Sequence, residues 1–472
     1  MSRRLPRLGA LLAAALLAGC ASVDIDRQLA RANQDAAQFT GGQLELARSD
    51  AQHARRQAEA DRLLAAPLGQ AEAVQLALAN SPAVQAALAE RWADGAAAAQ
   101  GARIANPLFS FERVRAGGAL EITRTLSFGL FELLTLPART AQARQRIAAS
   151  QLELTAGAVA QVTQVRQAWV RAVGARQSAV YARQVFDSAE VSAELARRMQ
   201  AVGNWNRLAR ARQQLFYADA ATQLALAQQA EGAAREQLVR LLGLGTEQAA
   251  RLQLPERLPD LPQTPLAPEA VRAGALDSRL DVRLARARYD AAALAQGLSR
   301  VSSLIDVELD GKRETAWPEG GARESGRGWE LGLRLPLFDF GGVRREAMSA
   351  QTLAAAQQLE AARRGADSQL REGYAAYRTA WAVARHYQAE LIPLRQLMQE
   401  ENILRYNGML IGVFELLADT RAQIIAVNTA IDALRDFWIA QAELDLALVG
   451  RPTLSPRMAT LPAAAETPAA GH

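Results

Sequence analysis

The one thiol in this 472-residue sequence, Cys20, closes the run Leu17-Ala18-Gly19-Cys20. Arg3, Arg4 and Arg7 precede an apolar stretch from Leu8 to Leu17, too short to span a bilayer but laid out like a cleaved export signal. The tetrapeptide resembles a bacterial lipobox, in which the cysteine sulfur is alkylated by diacylglycerol and the cysteine becomes the new N-terminus. Residues 1–19 are therefore expected to be a lipoprotein signal peptide, and Cys20 the site of lipidation. Several acyl chains, at about 0.8 kcal/mol per buried CH₂, anchor a protein stably. A single cysteine excludes an intrachain disulfide and a cysteine-built zinc site.

Other reactive side chains form no constellation. His53, His386 and His472 stand in no metal-ligand spacing, and no glycine-rich loop leads from a strand into a helix. No catalytic residues, no metal and no cofactor beyond the lipid on Cys20 are expected, and the chain is not expected to be an enzyme. The net charge of +5 falls by three to +2 once residues 1–19 are removed. No basic run with interleaved aromatics marks a nucleic-acid partner.

The carboxylates that do show a pattern lie on short alternating segments. Trp329, Leu331, Leu333, Leu335 and Leu337 alternate with Glu330, Gly332, Arg334 and Pro336. Ile305, Val307 and Leu309 alternate with Asp306, Glu308 and Asp310, and Leu120, Ile122, Leu126 and Phe128 with Glu121, Thr123, Thr125 and Ser127. A period of two puts each set on one face of a strand. Strands are expected at about 107–115, 119–129, 303–313 and 328–338, each near the 9 to 11 residues that a tilted strand needs to cross a bilayer. Leu120, Ile122, Ile305, Val307, Trp329, Leu331 and Leu333 would face lipid, and Glu121, Asp306, Glu308, Asp310 and Glu330 an aqueous lumen that favours cations. Arg124 breaks the pattern on the apolar side, where an arginine facing mid-bilayer lipid costs about 2 to 4 kcal/mol. Four strands cannot close a barrel, and an open edge leaves backbone groups unpaired in hydrocarbon, so the chain must oligomerise.

These strands recur because the chain repeats. Glu121 to Phe131 aligns with Glu330 to Phe340, and Gly203 to Arg212 with Gly412 to Arg421, both 209 residues on. Each copy has the order helix, two strands, very long helix, turn, helix. Residues 20–66 form an anchored N-terminal segment whose role is not evident from the sequence. Repeat 1 covers 67–254, a proline-rich linker 255–265, repeat 2 266–451, and 452–472 a disordered tail. The polar stretch Thr315 to Arg327 answers the short break Ala116-Gly117-Gly118 in the first copy. The long helices are expected from Ala138 to about Ala201 and from Val343 to about Asn407, roughly 96 Å at 1.5 Å per residue. Leu152, Val159, Val162, Trp169, Val173 and Val180 give the first a partial heptad, interrupted by Arg166 and Arg176. The helices reverse at Gly203-Asn204 and between Gly408 and Gly412, where permissive residues are needed.

With the lipobox, the duplicated helix–hairpin–long-helix plan and the reversal segments Gly203–Ala209 and Gly412–Ala418, the chain resembles the TolC-like outer-membrane factor family over roughly residues 60 to 450. Asn106-Pro107 and Gly341-Gly342 resemble its heavy-metal, CzcC/CusC-like branch. The resemblance implies a membrane protein, mainly α with a β-barrel section: a homotrimeric 12-stranded β-barrel on a 12-helix coiled-coil periplasmic tunnel. It implies an outer-membrane channel of a tripartite efflux pump, in contact with outer-membrane lipids, opened by a periplasmic adaptor protein and fed by an inner-membrane transporter of RND type. The adaptor would meet the helical tips at Gly203, Asn204, Gly408 and Gly412. The alternative is a lipid-anchored periplasmic coiled-coil scaffold or adaptor without a pore.

Overall fold

The computed structural model describes residues 24–41, 43–269, 278–302, 306–334, 338 and 340–451. Cys20, Ile305, Leu335, Leu337 and the tail 452–472 lie outside the described residues. The order is α1 (Ile25–Thr40), α2 (Asp50–Leu63), α3 (Gln70–Asn80), α4 (Pro82–Gln100), β1 (Leu108–Ala116), β2 (Ala119–Gly129), α5 (Leu130–Ala201), α6 (Arg207–Leu242) and the short α7 (Thr246–Arg251). The second half follows with α8 (Leu280–Ser302), β3 (Asp306–Trp317), β4 (Glu324–Arg334), α9 (Gly342–His386), a π-helical turn (Tyr387–Leu391), α10 (Ile392–Asn407) and α11 (Val413–Val449).

Helix α5 has 72 residues, roughly 108 Å at 1.5 Å per residue. It begins at Leu130, eight residues before the expected start, and runs through Pro137. An internal proline costs about 3 kcal/mol in a helix. Here the turn around it is tied into the fold: Thr135 donates to the Phe131 carbonyl at 3.0 Å, and Arg139 Nε donates to the Gly101 carbonyl at 2.9 Å. The second long helix differs. One π-helical turn separates α9 from α10 immediately before Pro393, whose ring would clash with the carbonyl four residues back in a regular α-helix.

The main core surrounds the middle of α5. Val159, Val162, Trp169 and Val173 of the heptad are buried there, whereas Val180 is exposed. Against them pack Ile25, Leu29, Ala32, Ala36 and Phe39 of α1, Leu44, Leu46, Leu63 and Leu64, the apolar side of α3, and the end of α6. The segment before repeat 1 is thus a wrap around the mid-helix. Arg166, which interrupts the heptad, fastens it: Nη2 donates to the Phe39 carbonyl at 2.6 Å and the guanidinium lies 4.7 Å over the Phe39 ring. Burial lowers its pKa, opposed by Asp445 at 3.8 Å. Arg176, the other interruption, donates to the Leu254 carbonyl at 2.6 Å.

That carbonyl opens the proline-rich linker, which is a strap across the second half. Proline lacks an N–H but keeps its carbonyl, and aromatic donors take these up. Trp381 Nε1 donates to the Pro262 carbonyl at 2.9 Å and Trp438 Nε1 to that of Pro259 at 3.0 Å. Beneath the strap Tyr377, Phe437, Leu370 and Leu444 form a second core.

The four strands make one antiparallel sheet in the order β1-β2-β3-β4. The two hairpins join through β2 and β3, leaving β1 and β4 as edges. Strand β3 reaches Trp317 and β4 starts at Glu324, so most of the polar stretch expected as a long break is strand, and the turn is only residues 318–323. The alternation continues there with arginine, threonine and glycine in place of leucine, which hides it from a hydrophobicity count.

Candidate functional site

Residues directly opposite one another in antiparallel strands share a face. The register therefore sorts the whole sheet. On one face, counting outward from the helices, the rungs are Val307–Leu333; Phe128–Leu309–Leu331; Phe109–Leu126–Gly311–Trp329; Phe111–Arg124–Arg313–Arg327; Arg113–Ile122–Thr315–Ser325; and Arg115–Leu120–Trp317. On the other face fall Glu112, Glu121, Glu308, Asp310, Glu314, Glu324 and Glu330, with Asp306 in register opposite Arg334. Lys312 stands among these acids and pairs with Glu330. Leu108 and Val114 are the large apolar residues on this acidic side.

The acids expected in a lumen thus share one face, and Leu120, Ile122, Val307, Trp329, Leu331 and Leu333 share the other. Trp329 is 76% exposed, and Phe109, Phe111, Leu126, Phe128, Leu331 and Leu333 are exposed with it. Sequence reasoning missed Glu112, Glu314, Glu324 and Lys312 on the acidic face, and Arg113, Arg115, Arg313 and Arg327 beside Arg124 on the apolar one. Extending the period of two through residues 311–328 would have found most of them.

Charge is separated across the sheet. The apolar face holds the arginines and no acid, while the opposite face holds acids with Lys312 and, by register, Arg334. Arg124 lies 5.9 Å from the centroid of Phe111, its neighbour in the same rung. Its position on the apolar face is a property of the register and not a slip in it.

At the far ends of the long helices the chain reverses twice. After α5, Gly203 takes φ +83, its N–H donates to the Gln200 carbonyl and that of Asn204 to Met199. This is a Schellman closure with glycine in the left-handed position. Asn206 then caps α6, accepting from the Ala209 N–H at 2.8 Å. Asn204, expected to tolerate the turn, is only its second residue. After α10 the same two bonds form from Met409 and Leu410 to Tyr406 and Arg405, and the left-handed residue is Met409 at φ +60. Gly408 and Gly412 both have φ −80, so neither supplies the permissive conformation expected of it. Met409, 93% exposed, and Leu410 stand bare at this tip, as do Val202 and Leu208 at the other.

Neither described histidine is part of a constellation. His53 is exposed, and His386 pairs with Glu390 one helical turn on. No helix among the described residues is long and apolar enough to cross a membrane. The arrangement is suited to separating two environments with a sheet and extending one of them along helices.

No protein-family model matches the chain and no curated protein matches it in sequence. Solved structures match it in fold. A membrane protein from Pseudomonas aeruginosa superposes with a TM-score of 0.67 at 22% identity, covering 83% of this chain and 93% of that one. The Campylobacter jejuni CmeC outer membrane channel gives 0.68 at 14% identity, covering 83% and 85%. The channel-forming protein CusC gives 0.65 at 16% identity, covering 84% and 92%.

Proposed function

We propose that this chain, whose fold is that of the TolC-like outer-membrane channels, is the outer-membrane duct of a bacterial efflux pump. The observation that carries the reading is the open four-stranded sheet with an apolar face, an acidic face and two unpaired edges, β1 and β4. In hydrocarbon such edges are untenable because their N–H and C=O groups have no water to bond, so the sheet must close with those of sister chains. Three copies supply twelve strands, a homotrimeric barrel with the leucine-bearing face towards lipid. The helices, on the scale of 100 Å, then continue the lumen as a periplasmic tunnel.

Conduction is passive, with the energy supplied by an inner-membrane transporter through a periplasmic adaptor. The adaptor meets the tips around Gly203, Asn204, Gly408 and Gly412, where Val202, Leu208, Met409 and Leu410 offer apolar anchors. Cys20 carries the acyl anchor. The lumen works by field: Glu121, Glu308, Asp310 and Glu330, with Glu112, Glu314 and Glu324, favour cations, and each Lys312 offsets part of that charge. No catalytic step is involved.

The test is reconstitution of the detergent-extracted, acylated protein in planar bilayers. A trimer with cation-selective conductance is expected, and neutralising Glu121, Glu308, Asp310 and Glu330 together should move selectivity towards anions. A stable monomer without conductance would leave the pore-free scaffold as the better reading.

A further inference from the structure

The arginines of the apolar face are not scattered. All five lie in its outer half: Arg124, Arg313 and Arg327 side by side in one rung across β2, β3 and β4, with Arg113 in the next rung and Arg115 in the one after. The inner half holds only Val307, Leu333, Phe128, Leu309, Leu331, Phe109, Leu126, Gly311 and Trp329. None of the five arginines has an ion-pair partner among the described residues, although the opposite face of the same sheet is crowded with carboxylates. Three guanidinium groups in direct cross-strand register repel one another unless an anion lies over them. Beside them is a second unsatisfied group. Thr315 belongs to the adjoining rung, is 1% exposed, and its hydroxyl has no hydrogen-bond partner.

The height of the rung says what the anion is. From Val307 to Arg313 is six residues, roughly 20 Å of strand at 3.3 Å per residue, or about 15 Å of height at the usual barrel tilt. Phe338, Phe340 and Val343, which follow β4 in the chain on the side of the helices, are exposed as well. With an apolar band about 25 Å tall, the rung falls where the outer leaflet's hydrocarbon gives way to its headgroups. Guanidinium groups pair bidentately with phosphate, and several of them together suit a headgroup with more than one phosphate.

We infer that this rung and its flanking arginines are a docking surface for a multiply phosphorylated lipid of the outer leaflet. The inference rests on the barrel reading above. Arg124, Arg313 and Arg327 hold the phosphates, Arg113 and Arg115 extend the contact outward, and the apolar rungs below receive the acyl chains. Trimer closure repeats the rung three times around the barrel, so the lipid collar would also bridge protomers.

The experiment uses the full-length acylated protein in nanodiscs of phosphatidylethanolamine doped with bisphosphorylated lipid A or with phosphatidylglycerol, reading retained lipid by mass spectrometry and pore formation by conductance. The wild type should retain lipid A over phosphatidylglycerol, and excess inorganic phosphate should not displace it. The R124Q/R313Q/R327Q variant should lose about tenfold or more of that retention, and R313Q alone should lose part of it. An E121Q/E308Q variant, altered only on the acidic face, should retain lipid like the wild type. Undiminished retention in R313Q and the triple variant, or equal retention of phosphatidylglycerol, overturns the inference; so does displacement by inorganic phosphate, which would mark a simple anion site. Conductance separates the two readings: a pore without lipid preference removes this inference alone, and a wild type without a pore removes both.

Discussion

The two helical reversals perform the same turn with different chemistry. After α5, glycine occupies the left-handed position and asparagine caps the next helix. After α10, a methionine is forced into the left-handed position, and Gly412 heads α11 with no side-chain cap. The first tip is built for stability; the second holds about 1 to 2 kcal/mol of local strain while presenting Met409 and Leu410 to solvent. Strain of this kind persists where the surroundings impose it, and it tends to mark places that act on a partner. The halves diverge again where the long returning helices α6 and α11 end. Gly243 closes α6 with φ +67, and a Cβ there would lie 2.5 Å from Pro82 Cδ and 2.6 Å from Ser81 Cα. Gly450 closes α11 in extended conformation with only Leu280 at 3.9 Å.

The largest contrast should come from these closing glycines. Gly243→Ala combines a left-handed backbone with a collision against α4, and should cost about 2 to 4 kcal/mol. Gly450→Ala should stay within about 0.5 kcal/mol. Denaturant unfolding of both variants reads the difference, and equal losses would erase the distinction between the halves. Next, Arg166→Met removes the donor to Phe39 and leaves Asp445 without its cation, for about 1 to 3 kcal/mol. Hydrogen exchange should then quicken in residues 25–40 and not in the strap over repeat 2, which relies on Trp381 and Trp438.

At the tips the two substitutions should have opposite signs. Gly203→Ala should destabilise and Met409→Gly stabilise, each by about 1 kcal/mol. If Met409→Gly also weakens capture of the periplasmic adaptor proposed above, the strain at the second tip serves docking; unaltered capture would reduce it to a packing accident. The smallest effect should be at Glu443 of α11, whose pKa is raised, chiefly by burial and against a hydrogen bond from Gln167 at 2.9 Å. A carboxyl that titrates higher in the fold than in the unfolded chain imposes no penalty below its unfolded pKa and destabilises as pH climbs above it. Glu443→Gln should therefore raise Tm slightly at neutral pH, with the gain vanishing near pH 4; a gain that persists in acid would contradict this account.

Much of the site was legible because its signals are local. Alternation placed Glu121, Glu308, Asp310 and Glu330 opposite Leu120, Ile122, Val307 and Leu331, and the strands bear this out. The outer half was misread because a strand whose two faces are both polar, as between residues 311 and 317, resembles a loop. The tip glycines were located by the repeat, yet the conformational burden at the second tip falls on Met409, which no propensity selects. Arg166 and Arg176 looked like flaws in a heptad, and both prove to be fasteners for segments more than 75 residues distant in the chain.

The sequence by itself determined that long helices form, the face pattern of the inner half of the strands and the duplicated plan, since propensity and period act between residues a few positions apart. Only the tertiary structure decided that Arg124, Arg313 and Arg327 share a rung, that residues 25–64 wrap the middle of α5, and that a proline-rich linker is a strap held by tryptophans. Those relations depend on which strand pairs with which, and on whose carbonyl meets whose donor. They are contacts between distant positions, chosen by the packing of the whole chain.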